Sequence, residues 1–170
     1  MNAKKRYDAL KGDRDQYLDI ARKASELTLP YLIHDDDTTT SARNLKTPWQ
    51  SVGAKGVVTL SAKLMLSLLP PQTSFFKLQV DETQLGDYGP EIKSDLDLAF
   101  AKVERTILES IAASDDRVVV HQAMKHLVVA GNALIFMGKA GLKLFPLNRY
   151  VVERDGNGNV TEIVTKESIN

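Results

Sequence analysis

The first quarter of the chain has the hydrophobic and polar period of an amphipathic helix. Its apolar residues recur mostly at three- and four-residue steps, the spacing that places side chains on one helix face: Tyr7, Leu10, Tyr17, Ala21 and Ala24. The pattern predicts a helix from Ala3 to Leu27 that Pro30 stops, because proline has no N–H for the helical hydrogen bond. The polar run His34 to Lys46 has no period, and we expect a mobile loop or connector there.

A capping signal predicts the start of a second helix. Thr47 as N-cap, Pro48 at the first helical position and Gln50 three residues after Thr47 make a capping box. The helix can run to Leu69, where two prolines follow and forbid continuation. Its apolar residues cover two faces, one with Val52, Val57, Leu60, Leu64 and Leu68 and the other with Val58, Met65, Leu66 and Leu69. Two apolar faces indicate burial among several neighbours.

The middle of the chain carries one strand pattern and one long helical pattern. Apolar and polar residues alternate from Phe75 to Val80, the period of a half-buried strand. A helix is predicted from Pro90 to about Ala113, with a polar opposite face and one apolar stripe: Ile92, Leu96, Phe100, Val103, Ile107 and Ile111. A further helix is predicted from about Arg117 to Ala130, capped by Asp115 or Asp116 and ended by the Gly-Asn pair that follows it.

The last part of the chain changes to the period of β-strands. Four short runs have strand composition: Ala133 to Met137, Leu142 to Leu147, Tyr150 to Arg154 and Asn159 to Thr165. Glycine-containing turns at Gly138 to Gly141 and Asp155 to Gly158 join them in pairs, which predicts hairpins. The fold class is therefore α+β, with several long helices before a strand-rich, hairpin-containing C-terminal part.

We predict three segments along the chain. Residues 1–46 hold the N-terminal helix and a polar connector, and residues 47–132 form a helical core with one strand at 75–80. Residues 133–170 form a strand-rich hairpin segment. The last five residues lack a recognisable terminal element, so we expect the chain to continue in the full protein.

Composition excludes several classes of protein. The chain has 170 residues, a formal net charge of zero and no cysteine. Zero net charge argues against a protein that coats nucleic acid, since such affinity comes from clustered cations that release phosphate counterions. Without cysteine there is no disulfide framework, thiolate zinc site or thiol nucleophile.

The chain also lacks the signals of secretion and of membrane insertion. The charged N-terminus has no apolar h-region, which argues against a signal peptide and for folding in a cytosol. The longest apolar region, Val57 to Leu69, contains Lys63 and is shorter than the roughly 18 residues of a membrane span. We therefore expect no membrane-spanning segment.

Three groups of residues could suggest a metal site, and none of the patterns supports one. His121 and His126 lie about 140° apart on a helix, because five residues rotate about 500°, so we interpret them as surface or interface histidines. His34 precedes the acidic run Asp35 to Asp37, which we interpret as a solvated turn. Asp155, Asn157 and Asn159 resemble the start of an EF-hand loop, but the required glycine and glutamate are absent, so a hairpin turn is favoured.

One short motif leaves an alternative function open. Gly53 to Gly56 has the form of the GXXG loop that holds nucleic-acid backbone in KH domains. It lies inside the predicted second helix, where small residues permit close helix packing, and packing is the favoured interpretation. A nucleic-acid-binding module using Lys55, Lys63 and this turn is the alternative. We find no catalytic constellation and predict no catalytic, metal or cofactor-binding residues.

Three stretches together resemble the head-to-tail connector, or portal, protein of short-tailed podoviruses. The first is TPWQSVGAKG with its continuation LSAKLMLSLLPPQT, the second is LVVAGNALIF and the third is NRYVVERDGNGNVTEIVT. Their order and spacing extend the similarity over most of the chain. Portal chains are much longer, so these residues would correspond to the start of the peripheral wing region.

The resemblance implies a structural protein without catalysis and without cofactors. It implies a ring of twelve identical subunits at one capsid vertex, assembled in the host cytoplasm and carried in the virion. Double-stranded DNA would pass through the channel during packaging and ejection. The implied partners are the terminase motor, the capsid and scaffolding proteins, and the tail adaptor proteins. No DNA-contacting channel element is assigned to any residue of this chain.

Overall fold

In the residues that the structure describes, the α-helices precede the strands, as the α+β prediction requires. A computed structural model describes residues 2–33, 47–71, 73–79, 90–139 and 141–167. Within these ranges the helices are α1 (Ala3–Leu27), α2 (Val52–Leu68), α3 (Pro90–Ala113) and α4 (Asp116–Ala130). The strands are β1 (Leu134–Gly138), β2 (Gly141–Phe145), β3 (Tyr150–Arg154) and β4 (Val160–Thr165). A 3-10 turn, Leu147–Arg149, connects β2 to β3.

The hydrophobic core joins the two ends of the described chain. Helix α4 packs against α1, α2 and β2, and α1 packs against β3. The buried core residues come from α1, the turn after it, α2, and the region from β2 to β3: Leu18, Ala21, Leu29, Leu32, Ile33, Val57, Phe145, Leu147 and Tyr150. Long-range contacts therefore hold the C-terminal hairpins on the N-terminal helix.

The bounds predicted for α1 are confirmed, but part of its predicted buried face is wrong. The buried residues are Leu10, Arg14, Leu18, Ala21 and Ser25. Tyr17 is 62% exposed whereas Leu18 is 2% exposed. Ser25 is buried because its hydroxyl donates to the Leu29 carbonyl (2.7 Å) and accepts from the Ile33 N–H (3.3 Å). These bonds satisfy a buried polar group that the apolar pattern of the sequence did not include.

The predicted capping box at Thr47 does not start α2. The helix begins at Val52, and its N-cap residue Ser51 makes no side-chain capping bond. The first turn packs on the end of α1, where a Cβ at Gly53 would lie 3.0 Å from the Leu27 carbonyl oxygen. The helix therefore starts five residues after the predicted N-cap Thr47, at the point where it packs on the end of α1. At the other end, Arg117 Nη2 donates to the Leu69 carbonyl (2.6 Å) beyond the last helical turn.

The strand predicted at 75–80 is wrong for the residues described there. Residues 73–79 contain no strand, although Phe76 and Leu78 are half-buried and the residues beside them are exposed. The Leu78 N–H donates to Glu104 Oε1 of α3 at 2.6 Å. The alternation of burial is present, but this backbone group bonds to a side chain instead of a neighbouring strand. Val80 lies outside the described residues.

Both predicted hairpins are confirmed. Strands β1 and β2 pair antiparallel, and so do β3 and β4, which have an irregularity at Glu153 and Arg154. In the second turn, one carboxylate oxygen of Asp155 accepts from the Asn157 N–H (3.0 Å) and the Asn159 N–H (2.8 Å). Hydrogen bonds from Asn159, its side chain foremost, lower the pKa of Asp155. The residues that resemble an EF-hand loop therefore build the hairpin turn.

Two further expectations concern the polar connector and membrane insertion. The polar run His34 to Lys46, including the acidic residues Asp35 to Asp37, lies outside the described residues. Among the helices described, none combines the length and the apolar content needed to cross a bilayer.

Candidate assembly surface

The apolar stripe of α3 is uncovered. Of the stripe residues, Ile92, Val103 and Ile107 are between 37% and 51% exposed. Leu96, Phe100 and Ile111 are half-buried, and α3 has only sparse contact with α4. The predicted period and helix bounds are correct, yet the described residues of this chain do not bury the stripe. A helix with one exposed apolar face and one polar face is suited to packing against another protein surface.

Helix α2 also presents apolar residues to solvent, contrary to the predicted burial. Within α2 the buried residues are Val57 and Ser61, and Ser61 Oγ donates to the Val58 carbonyl at 3.1 Å. Exposed apolar residues lie both beside Val57 and on the other faces of the helix: Val52, Val58, Leu60, Leu64, Leu66 and Leu68. Burying a leucine side chain stabilises a protein by about 1.5–3 kcal/mol. Burying the exposed leucines of α2 against another protein surface would therefore contribute substantially to the free energy of association.

A hairpin tip and one tryptophan add to the exposed apolar residues. Ile135, Phe136 and Met137 of β1 are exposed, and Trp49 before α2 is fully exposed. Tryptophan is enriched among the residues that contribute most to binding at protein interfaces. The capping interpretation of the Thr47 segment missed this residue, although an aromatic side chain among polar neighbours is a usable signal. We refer to the exposed apolar residues of α2, α3, β1 and Trp49 as the uncovered surface.

The start of α4 holds two neighbouring elements in place. Asp116 Oδ1 accepts from the Leu142 N–H of β2 at 2.8 Å, and Arg117 donates to the Leu69 carbonyl at the end of α2. Gly141 has a φ of 110°, and a Cβ there would lie 3.0 Å from Asp116 Oδ1. Consecutive residues of α4 thus bind the first hairpin on one side and the end of α2 on the other.

Arginines hold α1 against the region of β3 and β4. Arg6 donates to the carboxylates of Glu153 and Glu162, the second at 2.6 Å. These hydrogen bonds, the one to Glu153 foremost, raise the pKa of Arg6. Arg14 is buried and donates from Nη1 to the Asn148 carbonyl (3.0 Å). Each cation therefore meets acceptors from a distant part of the chain.

Arg14 has two further partners within α1. Its Nη1 donates to the Tyr7 hydroxyl at 2.8 Å, and its Nη2 donates to Asp15 Oδ1 at 2.7 Å. The Tyr7 hydroxyl in turn donates to the Asn148 carbonyl at 3.1 Å. This network satisfies a buried guanidinium, whose desolvation is otherwise costly.

The two helical histidines differ in their burial. His126 is buried, which corrects the expectation of a surface or interface histidine, and burial lowers its pKa. His121 is half-buried, and its pKa is lowered by burial first and by Lys125 second. Within the ranges that the structure describes, no group of three His, Asp or Glu side chains is placed to hold a metal ion.

The glycines of the GXXG-like motif lie inside a helix. Gly53 allows α2 to approach the Leu27 carbonyl, so the packing interpretation is confirmed for Gly53. Gly56 has open space around its Cα, and packing does not explain it. Lys55 and Lys63 are exposed on α2. A GXXG loop holds phosphate through a turn between helices, and these four residues instead form continuous helix.

Comparison with known proteins gives matches over nearly the whole chain. Residues 1–169 match the family described as bacteriophage head to tail connecting protein. The chain is 38% identical to the portal protein of Escherichia phage T7, over 98% of this chain and 32% of that protein. It is 36% identical to the portal protein of Enterobacteria phage SP6, over 89% of this chain and 29% of that protein.

More distant similarity extends to another phage. The chain is 31% identical to the portal protein of Pseudomonas phage phiKMV, over 84% of this chain. The chain spans about a third of the length of the curated relatives it matches, from 29% to 32%.

Proposed function

Because this chain belongs to the bacteriophage head to tail connecting protein family, we propose that it is part of a portal subunit. The subunit forms a ring at one vertex of the capsid. Double-stranded DNA is packaged and later ejected through the central channel, and the tail attaches to the ring. The family match over residues 1–169 carries this proposal.

The role proposed for the subunit is structural, and its partners follow from its position. A ring of twelve copies would contact the capsid and scaffolding proteins during assembly. A terminase motor would dock on it to drive DNA inward, and tail adaptor proteins would bind after packaging. The ring would assemble in the host cytoplasm and remain in the virion at the portal vertex. No catalytic step is assigned to the chain.

The uncovered surface supports a role in assembly. Several apolar side chains on each of α2, α3 and β1 are exposed, and exposed apolar residues that cluster on one element mark interaction sites more often than single scattered ones do. A closed ring needs two different, complementary surfaces on every copy. Helices α2 and α3 are separate elements, each with an apolar face, so the chain offers more than one such surface.

The nucleic-acid-binding alternative has less support from the geometry. Its proposed turn is helical, with Gly53 packed on the end of α1. The formal net charge of the chain is zero, and Lys55 and Lys63 alone supply little of the phosphate contact on which affinity depends. A salt series tests the alternative directly, since a binding module should lose DNA affinity steeply as salt rises.

Electron microscopy of the protein from the complete reading frame tests the proposed function. Negatively stained particles should be rings of uniform diameter with a central channel. Discrete monomers at high protein concentration would contradict the proposal. Tight, salt-sensitive DNA binding by those monomers would favour the nucleic-acid-binding alternative.

A further inference from the structure

We propose that α2 of one copy packs against α3 of the neighbouring copy around the ring. This inference rests on the proposed portal function and names the surfaces through which its subunits meet. It assigns the exposed leucine stripe of α2, formed by Leu60, Leu64 and Leu68, to the exposed stripe of α3.

The two stripes have compatible lengths and spacings. Helix α2 has 17 residues and α3 has 24, so their lengths are roughly 25 Å and 36 Å at about 1.5 Å per residue. The leucines of α2 recur every four residues, and Phe100, Val103 and Ile107 of α3 recur at steps of three and four. Side chains at these steps form the ridges and grooves through which helices pack at preferred angles.

Neither stripe is covered by the elements that hold its helix in place. Helix α2 packs on α4 and buries Val57 and Ser61, while Leu60, Leu64 and Leu68, which lie on the same side of the helix as Val57, remain partly exposed. The α3 stripe is also exposed, as described above. The described residues therefore leave two apolar helix faces uncovered in each copy, and pairing one with the other between copies would cover both.

Charge favours pairing α2 with α3 over pairing either helix with itself. Helix α2 contains two lysines and no acidic residue, whereas α3 contains five acidic and three basic residues. At about 100° per residue, Lys63 borders the α2 stripe beside Leu60. By the same rotation, Asp95 borders the α3 stripe beside Ile92, while Asp97 and Glu104 border the other side, where Lys93 also lies. Acidic residues therefore outnumber basic ones at the edges of the α3 stripe.

Opposite charges at the edges of these stripes would steer unlike helices together. A contact between two α2 helices would instead bring lysines together, and a contact between two α3 helices would bring carboxylates together. The favoured contact thus joins different surfaces on two copies. Such a heterologous contact forms a closed ring when its rotation closes and a filament when it does not.

Cross-linking tests this contact, and the described segment contributes no cysteine to complicate it. Leu64→Cys and Val103→Cys are introduced together into the protein from the complete reading frame, with any cysteine elsewhere replaced. Assembled rings are treated with a short bismaleimide, because that reaction does not depend on strict disulfide geometry. The pair Leu60→Cys and Ile107→Cys provides a second sampling of the interface.

The inference predicts a ladder of covalent multimers that ends at the number of subunits in the ring. Each copy links to one neighbour through α2 and to the other through α3. Rings assembled from an equal mixture of the two single variants should give dimers as the largest covalent product. The matched control, Thr59→Cys with Arg105→Cys, places both cysteines on exposed faces away from the stripes and should remain monomeric on a denaturing gel.

Three results would overturn the inference. Intact rings in which neither stripe pair cross-links would mean that another part of the subunit, or another partner, covers the stripes. A cross-link confined within single chains would mean that α2 and α3 pack together in one subunit. Both results leave the proposed function in place. Failure of the unsubstituted protein to form rings would instead remove the proposed function, and this inference with it.

Discussion

Two aspartate substitutions on α2 should separate folding from assembly. Val57 is 6% exposed and packs in the core, whereas Leu64, seven residues later on the same helix, is 38% exposed. Both changes replace an aliphatic residue by the same carboxylate in the same secondary structure. At position 57 the folded chain itself would bury the carboxylate, whereas at position 64 only a second protein surface would bury it.

The magnitudes follow from burial. Val57→Asp loses most of the roughly 1.5–3 kcal/mol of an aliphatic side chain, and an uncompensated buried charge costs about 3–5 kcal/mol more. Leu64→Asp leaves the carboxylate in contact with water in a single copy and loses about 1–2 kcal/mol of partial burial. If α2 meets a neighbouring copy, the same carboxylate becomes buried in every contact of the ring.

Hydrogen exchange and electron microscopy measure the two effects independently. In the protein from the complete reading frame, Val57→Asp should remove protection from the amides of α2 and α4. Leu64→Asp should preserve that protection and abolish rings. Normal rings from Leu64→Asp would contradict the assignment of Leu64 to an interface. Equal loss of amide protection in both variants would contradict the burial argument.

Three further predictions concern the stability of the described chain. Ser25→Ala should destabilise it by about 1–3 kcal/mol in thermal or denaturant unfolding, since two buried backbone groups lose their partner; an unchanged midpoint would contradict this. Gly141→Ala should lower the free energy of unfolding by about 1–3 kcal/mol, because φ is positive at this residue and the new Cβ would meet Asp116. Gly156→Ala, where a Cβ would meet no atom within 4 Å, is the matched control and should be neutral. Burial lowers the pKa of His126 below its ordinary value of 6.5. Its contribution to stability is therefore complete above pH 6.5 and is lost as the pH falls through the folded-state pKa. His126→Gln should reduce the loss of stability in acid, and an unchanged pH profile of unfolding would exclude the histidine as its cause.

The sequence predicted the type and order of the helices and strands well because those signals are local. The stripe of α3, the left-handed Gly131 after α4 and the turn from Asp155 to Gly158 each depend on residues close together in the chain. Near-regular steps along α1 also defined a helix, but not which phase faces inward. The buried face includes the polar residues Arg14 and Ser25. Their burial is possible because they donate hydrogen bonds to the backbone carbonyls of Asn148 and Leu29, which a local pattern does not reveal.

Tertiary packing accounts for the sequence predictions that were wrong. Thr47 carries a valid capping signal, yet α2 begins at Val52 as its first turn meets α1. The segment 75–79 has a strand alternation, but Leu78 bonds to the Glu104 side chain. The apolar faces of α2 and α3 were read correctly from sequence, while their exposure was not, because a hydrophobic pattern does not state which chain or copy will cover it.

The first turn of α4 links the first hairpin to the end of α2. Asp116 holds the backbone of the first hairpin and Arg117 holds the end of α2, so a rotation of α4 displaces both elements together. Phe136 and Met137 lie in that hairpin and are exposed. If α2 touches a neighbouring copy, pressure on the hairpin would be transmitted through two hydrogen bonds to the subunit boundary. The exposed hairpin and the subunit boundary would then be joined through a single turn of helix.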